Sequence, residues 1–168
     1  MKRAVIVAAL LSVVATACGQ PASRSSPDPD GSLLPRDRLA LPEFTYPQFE
    51  ALIEELRGTP VVVNVWGSWC PPCRVEAPDL AEVSEELEGE VQFLGVDIED
   101  TRASARRFIL EFDWQYPSVF DPDREIPNGL GLFGQPITVI FDREGERSFE
   151  WVGALTGDLL REEIRKVL

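Results

Sequence analysis

Two cysteines separated by two residues, Cys70 and Cys73, are the side chains of this sequence best suited to chemistry. Two intervening residues bring the sulfurs within reach of a disulfide over one helical turn. The proline at 71 predicts a helix that begins there, with Cys70 as its N-cap. The free N–H groups and partial positive charge of a helix start favour the Cys70 thiolate, which is the reactive form.

A continuous apolar stretch leads into the cysteines. Residues 61–65 read Val-Val-Val-Asn-Val, and such a β-branched run predicts a central strand that is buried on both faces. Gly67 and Ser68 then end the strand. A strand, a turn and a helix with a cysteine pair at its mouth together indicate a redox site.

The two prolines between the cysteines affect the acidity of the first thiol. Proline carries no N–H, so Pro71 and Pro72 cannot donate a hydrogen bond to the Cys70 thiolate, and the Cys73 amide becomes its main donor. We therefore expect Cys70 to be less acidic than a cysteine followed by residues with N–H groups. A less stabilised thiolate makes the reduced pair a better reductant.

Composition narrows the possible partners and cofactors. The chain has 168 residues and a formal net charge of −13, and such a surface argues against nucleic acid and against electrostatic binding to anionic lipid. Three cysteines and no histidine exclude histidine-based triads and make a protein-held zinc or haem site unexpected. We expect no cofactor and no metal, and proton transfer by carboxylates, lysines or water.

The first 17 residues have the features of an export signal. Lys2 and Arg3 precede an apolar run over 4–14, and small residues at 15–17 precede Cys18. The run is too short for a comfortable membrane span. The pattern resembles a bacterial lipoprotein signal, in which Cys18 becomes the lipid-bearing N-terminus at the cell membrane. Simple secretion and an uncleaved anchor are the alternatives, and each places the domain outside the cytoplasm, where disulfide chemistry is feasible.

Three segments follow along the chain. Residues 1–17 are the signal, residues 18–38 a tether, and residues 39–168 one folded domain. The tether is rich in proline, serine, aspartate and glycine, which cannot bury a core, so we expect it to be disordered.

Apolar periodicity predicts the elements of the domain. Helices are expected over 46–56, 71–87, 101–112 and 155–168, and strands over 61–65, 91–98, 116–120, 137–141 and 149–152. The stretch 121–135 is expected to be a loop. This order predicts an α/β fold with a mixed central sheet covered by helices.

Three motifs together resemble the TlpA/ResA-like group of extracytoplasmic thiol–disulfide oxidoreductases, which have the thioredoxin fold. They are VWGSWCPPCRVEAP at 65–78, GVD at 95–97 and QPITVIFDREG at 135–145. The resemblance implies an enzyme, tethered to the membrane, that reduces protein disulfides, including possible service to apocytochrome c. It also implies a membrane thiol–electron donor that recharges the cysteine pair.

The resemblance implies roles for single residues as well. Cys70, expected to be the more exposed cysteine, is the attacking nucleophile, and Cys73 resolves the mixed disulfide. Glu76 matches a family glutamate with roles in proton handling or partner binding, and an ordinary exposed helix glutamate is the alternative. Asn64 stands where many thioredoxins carry a proton-relaying aspartate, and asparagine cannot titrate, which puts that relay in doubt.

Pro136 matches the family's cis-proline, which would lie beside the cysteine pair. A cis bond there turns the backbone so that Gln135 can pair with an extended substrate chain, a form of β-augmentation. Trp69, as part of an apolar rim, and Pro71 and Pro72 complete the expected substrate-binding residues.

Other functions fit the residues less well. The run GLGLFG at 129–134 matches a dinucleotide-binding pattern, but it precedes a proline and a strand instead of a helix. Copper carriers of this fold use a wider cysteine spacing and a histidine, and the chain has neither feature. Thiol peroxidases use a lone cysteine in a threonine-rich loop, which is also absent from this sequence. An oxidase of the same fold stays open, because the potentials of such pairs span about −270 to about −120 mV.

Overall fold

The computed structural model describes residues 31–168, and the signal, Cys18 and most of the tether lie outside them. The strands are β1 (Val61–Trp66), β2 (Gln92–Ile98), β3 (Ser118–Asp121), β4 (Ile137–Phe141) and β5 (Arg147–Val152). The helices are α1 (Tyr46–Glu55), α2 (Pro71–Glu86), α3 (Arg102–Glu111), α4 (Glu125–Gly129) and α5 (Gly157–Ile164).

The strands form one mixed sheet in the order β3-β2-β1-β4-β5, with β1 at its centre. β1 is parallel to β2 and antiparallel to β4, and Val65 lies opposite both Val96 and Ile137. β3 is parallel to β2, and β5 is antiparallel to β4. Every residue of β1 is buried, as its β-branched sequence predicts. The predicted α/β fold, a mixed sheet flanked by helices, is confirmed.

Helices cover both sides of the sheet, and alternation along each strand sends successive side chains to opposite sides. We call the side covered by α2, α3 and α5 the α2 face, where Val62 and Trp66 of β1 pack with residues of these helices. We call the other side, covered by α1 and α4, the α1 face, where Val63 and Val65 pack. The cysteine pair belongs to the α2 face.

The stretch 121–135, expected to be a loop, contains the five-residue helix α4, so that expectation is wrong. The Asp121 carboxylate accepts hydrogen bonds from the backbone N–H groups of Glu125 and Ile126, both at 2.9 Å. These bonds satisfy donors that a helix start leaves free, and the Ile126 side chain is buried on the α1 face. A contact with a residue at the end of β3 therefore starts this helix.

Residues that precede the predicted boundary at residue 39 make contacts with the domain. Leu33 N donates to Glu55 Oε2 at 3.0 Å, and Leu33 packs against the α1-face cluster. The Arg38 guanidinium donates to Trp114 O at 2.7 Å. The last residues of the predicted tether thus lie against the domain.

Residues 31–168 include no helix with the length and hydropathy that crossing a bilayer requires.

Candidate active site

The cysteine pair lies where β1 has ended and α2 begins. Cys70 and Cys73 form a disulfide, with their Cα atoms 5.3 Å apart. Cys70 has the extended conformation of an N-cap residue, and Cys73 N donates to its Sγ at 3.3 Å. Pro71 is the first residue of the helix, so the predicted helix start is confirmed.

The expectation that Cys70 is the more exposed cysteine is wrong, because both cysteines are only 1% exposed. The Cys70 side chain turns towards the start of α2 and is bonded to Cys73 within the apolar cluster of the α2 face. Its neighbours in the chain take the exposed positions instead. Trp69 is 49% exposed, and Pro71 and Pro72 are both exposed, so the predicted rim residues do lie at the surface.

Glu76 follows Cys73 by one helical turn and is 1% exposed, so the alternative of an ordinary surface glutamate is wrong. Its carboxyl oxygens accept hydrogen bonds from Asn64 Nδ2 at 2.8 Å and from Leu155 N at 3.1 Å. Burial raises the pKa of Glu76 to about 7, although both hydrogen bonds oppose the shift. A carboxyl with this pKa can both take up and release a proton near neutral pH.

Asn64 connects the strands beneath Glu76. It lies opposite Thr138 on β4 and Gly95 on β2, on the α2 face. Its Nδ2 also lies 3.4 Å from Thr138 Oγ1, which gives a second, longer hydrogen bond. Asn64 therefore orients the Glu76 carboxyl without titrating itself.

The segment before β4 reaches the same end of the sheet as the cysteines. Because Ile137 lies opposite Val65, the residues that precede Ile137 continue past the end of β1, where the turn towards Cys70 begins. The Gln135–Pro136 peptide bond is cis, as the resemblance implies, and Pro136 O accepts a hydrogen bond from Gly153 N at 2.8 Å. Pro136 is buried, whereas Gln135 is half-buried.

Comparison with known proteins gives the family. The model of the AhpC/TSA family matches residues 39–146. The chain belongs to the AhpC/TSA family.

Its relatives within this family are thiol–disulfide enzymes. The thiol:disulfide interchange protein DsbE of Pseudomonas aeruginosa is 34% identical over 125 residues, which are 74% of this chain and 68% of that protein. The thiol-disulfide oxidoreductase ResA of Bacillus thuringiensis is 28% identical over 116 residues, 68% of this chain and 67% of that protein.

A solved structure gives the same assignment. The chain superposes on the crystal structure of a DsbF homologue from Corynebacterium diphtheriae with a TM-score of 0.64 and 29% sequence identity. The match covers 68% of this chain and 75% of the homologue's chain. The AhpC/TSA-family chain is thus a thiol–disulfide oxidoreductase of the DsbE and ResA type with a thioredoxin fold. The resemblance to the TlpA/ResA-like group is confirmed.

A second buried carboxyl of this AhpC/TSA-family enzyme, Asp97 on β2, received no role from the sequence. It is fully buried on the α2 face, and within residues 31–168 no N–H or O–H group donates a hydrogen bond to either of its carboxyl oxygens. Burial, followed by the negative charge of Asp100 and a side-chain hydrogen bond to it, raises the pKa of Asp97 to about 9. Asp97 is therefore protonated at neutral pH. A carboxylate within an otherwise apolar strand is the sequence signal that could have revealed it.

Arg124 is a further residue at this site that sequence reasoning missed. It follows β3, and its side chain is 18% exposed. Its guanidinium donates to Gln135 Oε1 at 2.8 Å and to Gly134 O at 3.3 Å, immediately before Pro136. No local pattern around Arg124 signals these contacts, because they join segments that are ten or more residues apart.

Proposed function

We propose that this enzyme reduces protein disulfides outside the cytoplasm, with Cys70 as the nucleophile and Cys73 as the resolving thiol. The observation that carries the proposal is the Cys70–Cys73 disulfide at the start of α2, one turn before the buried Glu76 carboxyl. A cysteine pair in this position can alternate between a dithiol and a disulfide without any cofactor.

The reaction transfers two electrons through two exchange steps. The Cys70 thiolate attacks one sulfur of a substrate disulfide, and the other substrate sulfur leaves as a thiolate and takes up a proton. The Cys73 thiolate then attacks Cys70 Sγ in the mixed disulfide, and the remaining substrate sulfur leaves. The substrate ends as two thiols, and the enzyme ends with the Cys70–Cys73 disulfide.

Glu76 handles the proton of the second step. Cys73 is buried, so its thiol needs a nearby acceptor before it can attack as a thiolate. Glu76 lies one turn further along the same helix, and its pKa of about 7 allows its carboxylate to accept a proton near neutral pH. The hydrogen bonds from Asn64 and from the Leu155 amide keep the carboxyl in place.

The direction of reduction is supported by the surroundings of Cys70. Cys73 N donates to Cys70 Sγ, whereas Pro71 and Pro72 contribute no N–H. A thiolate with few donors is stabilised weakly, which favours the disulfide state of the enzyme and makes the dithiol a reductant.

The substrate docks as an extended chain. Gln135 lies before β4 at the end of the sheet where the cysteine turn lies, so its backbone can pair with a polypeptide whose disulfide faces Cys70. Trp69, Pro71 and Pro72 supply exposed apolar surface beside the pair. This docking distinguishes protein disulfides from small ones.

The proposed location rests on the sequence before the described residues. The basic and apolar run over 1–17 and Cys18 support export and attachment to the membrane through a lipid on Cys18. An enzyme held there needs electrons from a membrane thiol donor, and apocytochrome c is one proposed recipient, by the TlpA/ResA-like resemblance. Mass spectrometry of the membrane fraction would test the anchor, and an unmodified Cys18 in the exported protein would contradict it.

The reduction potential of the Cys70–Cys73 pair tests the direction. The chain from residue 19 onward, which keeps all described residues, would be equilibrated in thiol buffers and the disulfide fraction read by alkylation. A value near or below about −270 mV supports a reductase, whereas a value near about −120 mV assigns the oxidase function to the same cysteines. A Cys73→Ser variant is the control, because it cannot close the disulfide. A wild-type pair that forms no reversible disulfide would leave only a binding function.

A further inference from the structure

Arg124 connects three acceptors at the end of the sheet that carries the active site. Its Nη1 donates to Gln135 Oε1 at 2.8 Å and to Glu99 Oε2 at 3.0 Å, and its Nη2 donates to Gly134 O at 3.3 Å. The residue lies shortly after β3 and has a left-handed backbone, with φ at 59°. Hydrogen bonds from a guanidinium are charge-assisted, and its planar donors fix the direction of each partner.

The loop after β2 connects the same region to the cysteine turn. Asp100 Oδ2 accepts a hydrogen bond from Ser68 N at 2.7 Å, within the turn that leads to Cys70. The adjacent residue, Glu99, is the ion-pair partner of Arg124. Two consecutive carboxylates therefore hold the turn before the nucleophile on one side and Arg124 on the other.

We propose that Glu99, Asp100 and Arg124 form a docking bridge, which positions the 134–136 segment relative to Cys70 for a polypeptide substrate. The inference rests on the proposed function, in which a substrate chain pairs with the backbone of Gln135. These three are positioning residues, since they act through Ser68, Gly134 and Gln135. A polypeptide that pairs beside Gln135 places its disulfide correctly only if the spacing to Cys70 is fixed.

The bridge also determines which part of Gln135 meets the substrate. Its side-chain oxygen is engaged by Arg124, so the side chain is held on the side of α4. The backbone of Gln135 is what a substrate chain can pair with. The docking segment is thus expected to accept many sequences, because main-chain pairing does not depend on substrate side chains.

The test compares two disulfides with the same leaving group. One is a linear decapeptide whose central cysteine is disulfide-bonded to 2-mercaptoethanol, and the other is hydroxyethyl disulfide. The chain from residue 19 onward, reduced at Cys70 and Cys73, is mixed with each in a stopped-flow instrument, and tryptophan fluorescence is followed. The dependence on disulfide concentration gives an apparent dissociation constant and a limiting rate.

Arg124→Asn is the main variant, since asparagine tolerates a left-handed backbone but cannot reach the three acceptors. We expect its second-order rate constant with the peptide to fall about tenfold, mainly through weaker binding, which is the size of effect of a lost charge-assisted hydrogen bond. The loss with hydroxyethyl disulfide is expected to be at least about five times smaller, because that molecule has no chain to dock. The ratio of the second-order rate constant with the peptide to that with hydroxyethyl disulfide should fall in Asp100→Ala as well.

One control variant separates this effect from a loss of charge, and a second test variant separates it from a loss of folding. Arg57→Asn removes an equally charged side chain that pairs with Glu54 at the surface, so its ratio should match the wild type. Gln135→Leu keeps the size of the side chain but removes the Arg124 acceptor, and it should lower the ratio even where Arg124→Asn proves too unstable to measure.

The outcomes distinguish the bridge from the docking itself. A wild-type protein that reduces the peptide no faster than hydroxyethyl disulfide would overturn docking at Gln135 and, with it, this part of the proposed function. A wild-type preference for the peptide that both Arg124→Asn and Gln135→Leu retain would overturn the bridge alone. Equal losses with both disulfides would also overturn it, because they would show a general structural role.

Discussion

The α1 face and the α2 face of the sheet are both covered by helices, yet their strands present different side chains to the interior. On the α1 face, every buried side chain of β1, β2 and β4 is apolar: Val61, Val63, Val65, Leu94, Val96, Ile98, Ile137, Val139 and Phe141. On the α2 face the same three strands include Asn64, Asp97 and Thr138, all of them buried, and α2 adds the buried Glu76.

The apolar α1 face mainly stabilises the fold, whereas the α2 face holds the groups suited to the reaction. Burying apolar side chains lowers the free energy of the fold, whereas burying polar groups costs free energy unless each is hydrogen-bonded. The α2 face has Asp97, whose carboxyl oxygens accept no hydrogen bond within residues 31–168, and Glu76 with a pKa of about 7. Such costs are tolerated where they serve a reaction, and the apolar α1 face offsets them.

Replacing the nucleophile should give the largest effect on the α2 face. Cys70→Ser removes the sulfur that attacks the substrate, so we expect at least about a thousandfold loss in the single-turnover rate of disulfide reduction. The fold should persist, and thermal unfolding of the variant should match that of the reduced wild type. A variant that keeps a tenth of the wild-type rate would show that Cys70 is not the attacking residue.

Shortening a side chain on the α1 face should have the opposite profile. Leu52 is fully buried there, so Leu52→Ala should lower the free energy of unfolding by about 3 kcal/mol through lost contacts and a residual cavity. The potential of the cysteine pair should not change. Urea unfolding and thiol-buffer equilibration measure the two quantities, and Leu110→Ala, at an exposed position on α3, is the matched control.

A change in the reduction potential of the cysteine pair in Leu52→Ala would show that packing on the α1 face affects the chemistry of the α2 face.

Replacing the buried Asp97 carboxyl with an amide should stabilise the fold at alkaline pH. The pKa of Asp97 is raised in the fold to about 9, so the folded protein binds a proton that the unfolded chain releases above its own, lower pKa. The stability contribution is therefore present at acid pH and is lost as pH rises towards 9. Asp97→Asn should raise the free energy of unfolding at pH 8 by about 2 kcal/mol, and at pH 4 by little.

Urea unfolding across pH checks this prediction, and the range from pH 7 to pH 9 is decisive. The pKa of Glu76 is about 7, so its contribution is lost mostly below that range, whereas that of Asp97 continues to change within it. Equal slopes in the wild type and Asp97→Asn above pH 7 would contradict a protonated Asp97.

The smallest of these effects is expected at Glu76. Glu76→Gln keeps the shape of the side chain but cannot accept the Cys73 proton, so release of the mixed disulfide should slow by about tenfold. In the wild type this step should quicken as pH rises through about 7, because the carboxylate form increases, and the variant should lack that inflection. Glu88→Gln, at an exposed site just beyond α2, is the control.

If Glu76→Gln keeps the wild-type pH profile, another group must accept the proton of Cys73.

Much of this architecture could be predicted from local sequence. The β-branched run predicted β1, and Pro71 placed the start of α2 correctly, because strand propensity and helix capping depend on neighbouring residues. Capping also sets the start of α5, where Thr156 is the N-cap and its Oγ1 accepts a hydrogen bond from Leu159 N. The helix α4 was missed because Asp121, outside the helix, satisfies its first amides.

The site was predicted less completely, because most of its contacts join residues that are far apart in the sequence. The position of Glu76 one turn after Cys73 was readable, but the Leu155 amide that it binds lies 79 residues away. The bridge between Arg124 and Gln135 and the burial of Cys70 likewise depend on tertiary contacts, which spacing along the chain does not encode.

The burial of the disulfide has a kinetic consequence. With only 1% of Cys70 and of Cys73 exposed, a free small thiol meets almost no sulfur surface when it collides with the oxidised protein. Exchange requires access as well as a thiolate, so the surrounding thiol pool equilibrates slowly with the pair. A partner that docks and uncovers Cys70 avoids that delay. The buried disulfide can therefore stay out of equilibrium with its surroundings and accept electrons only from a bound partner.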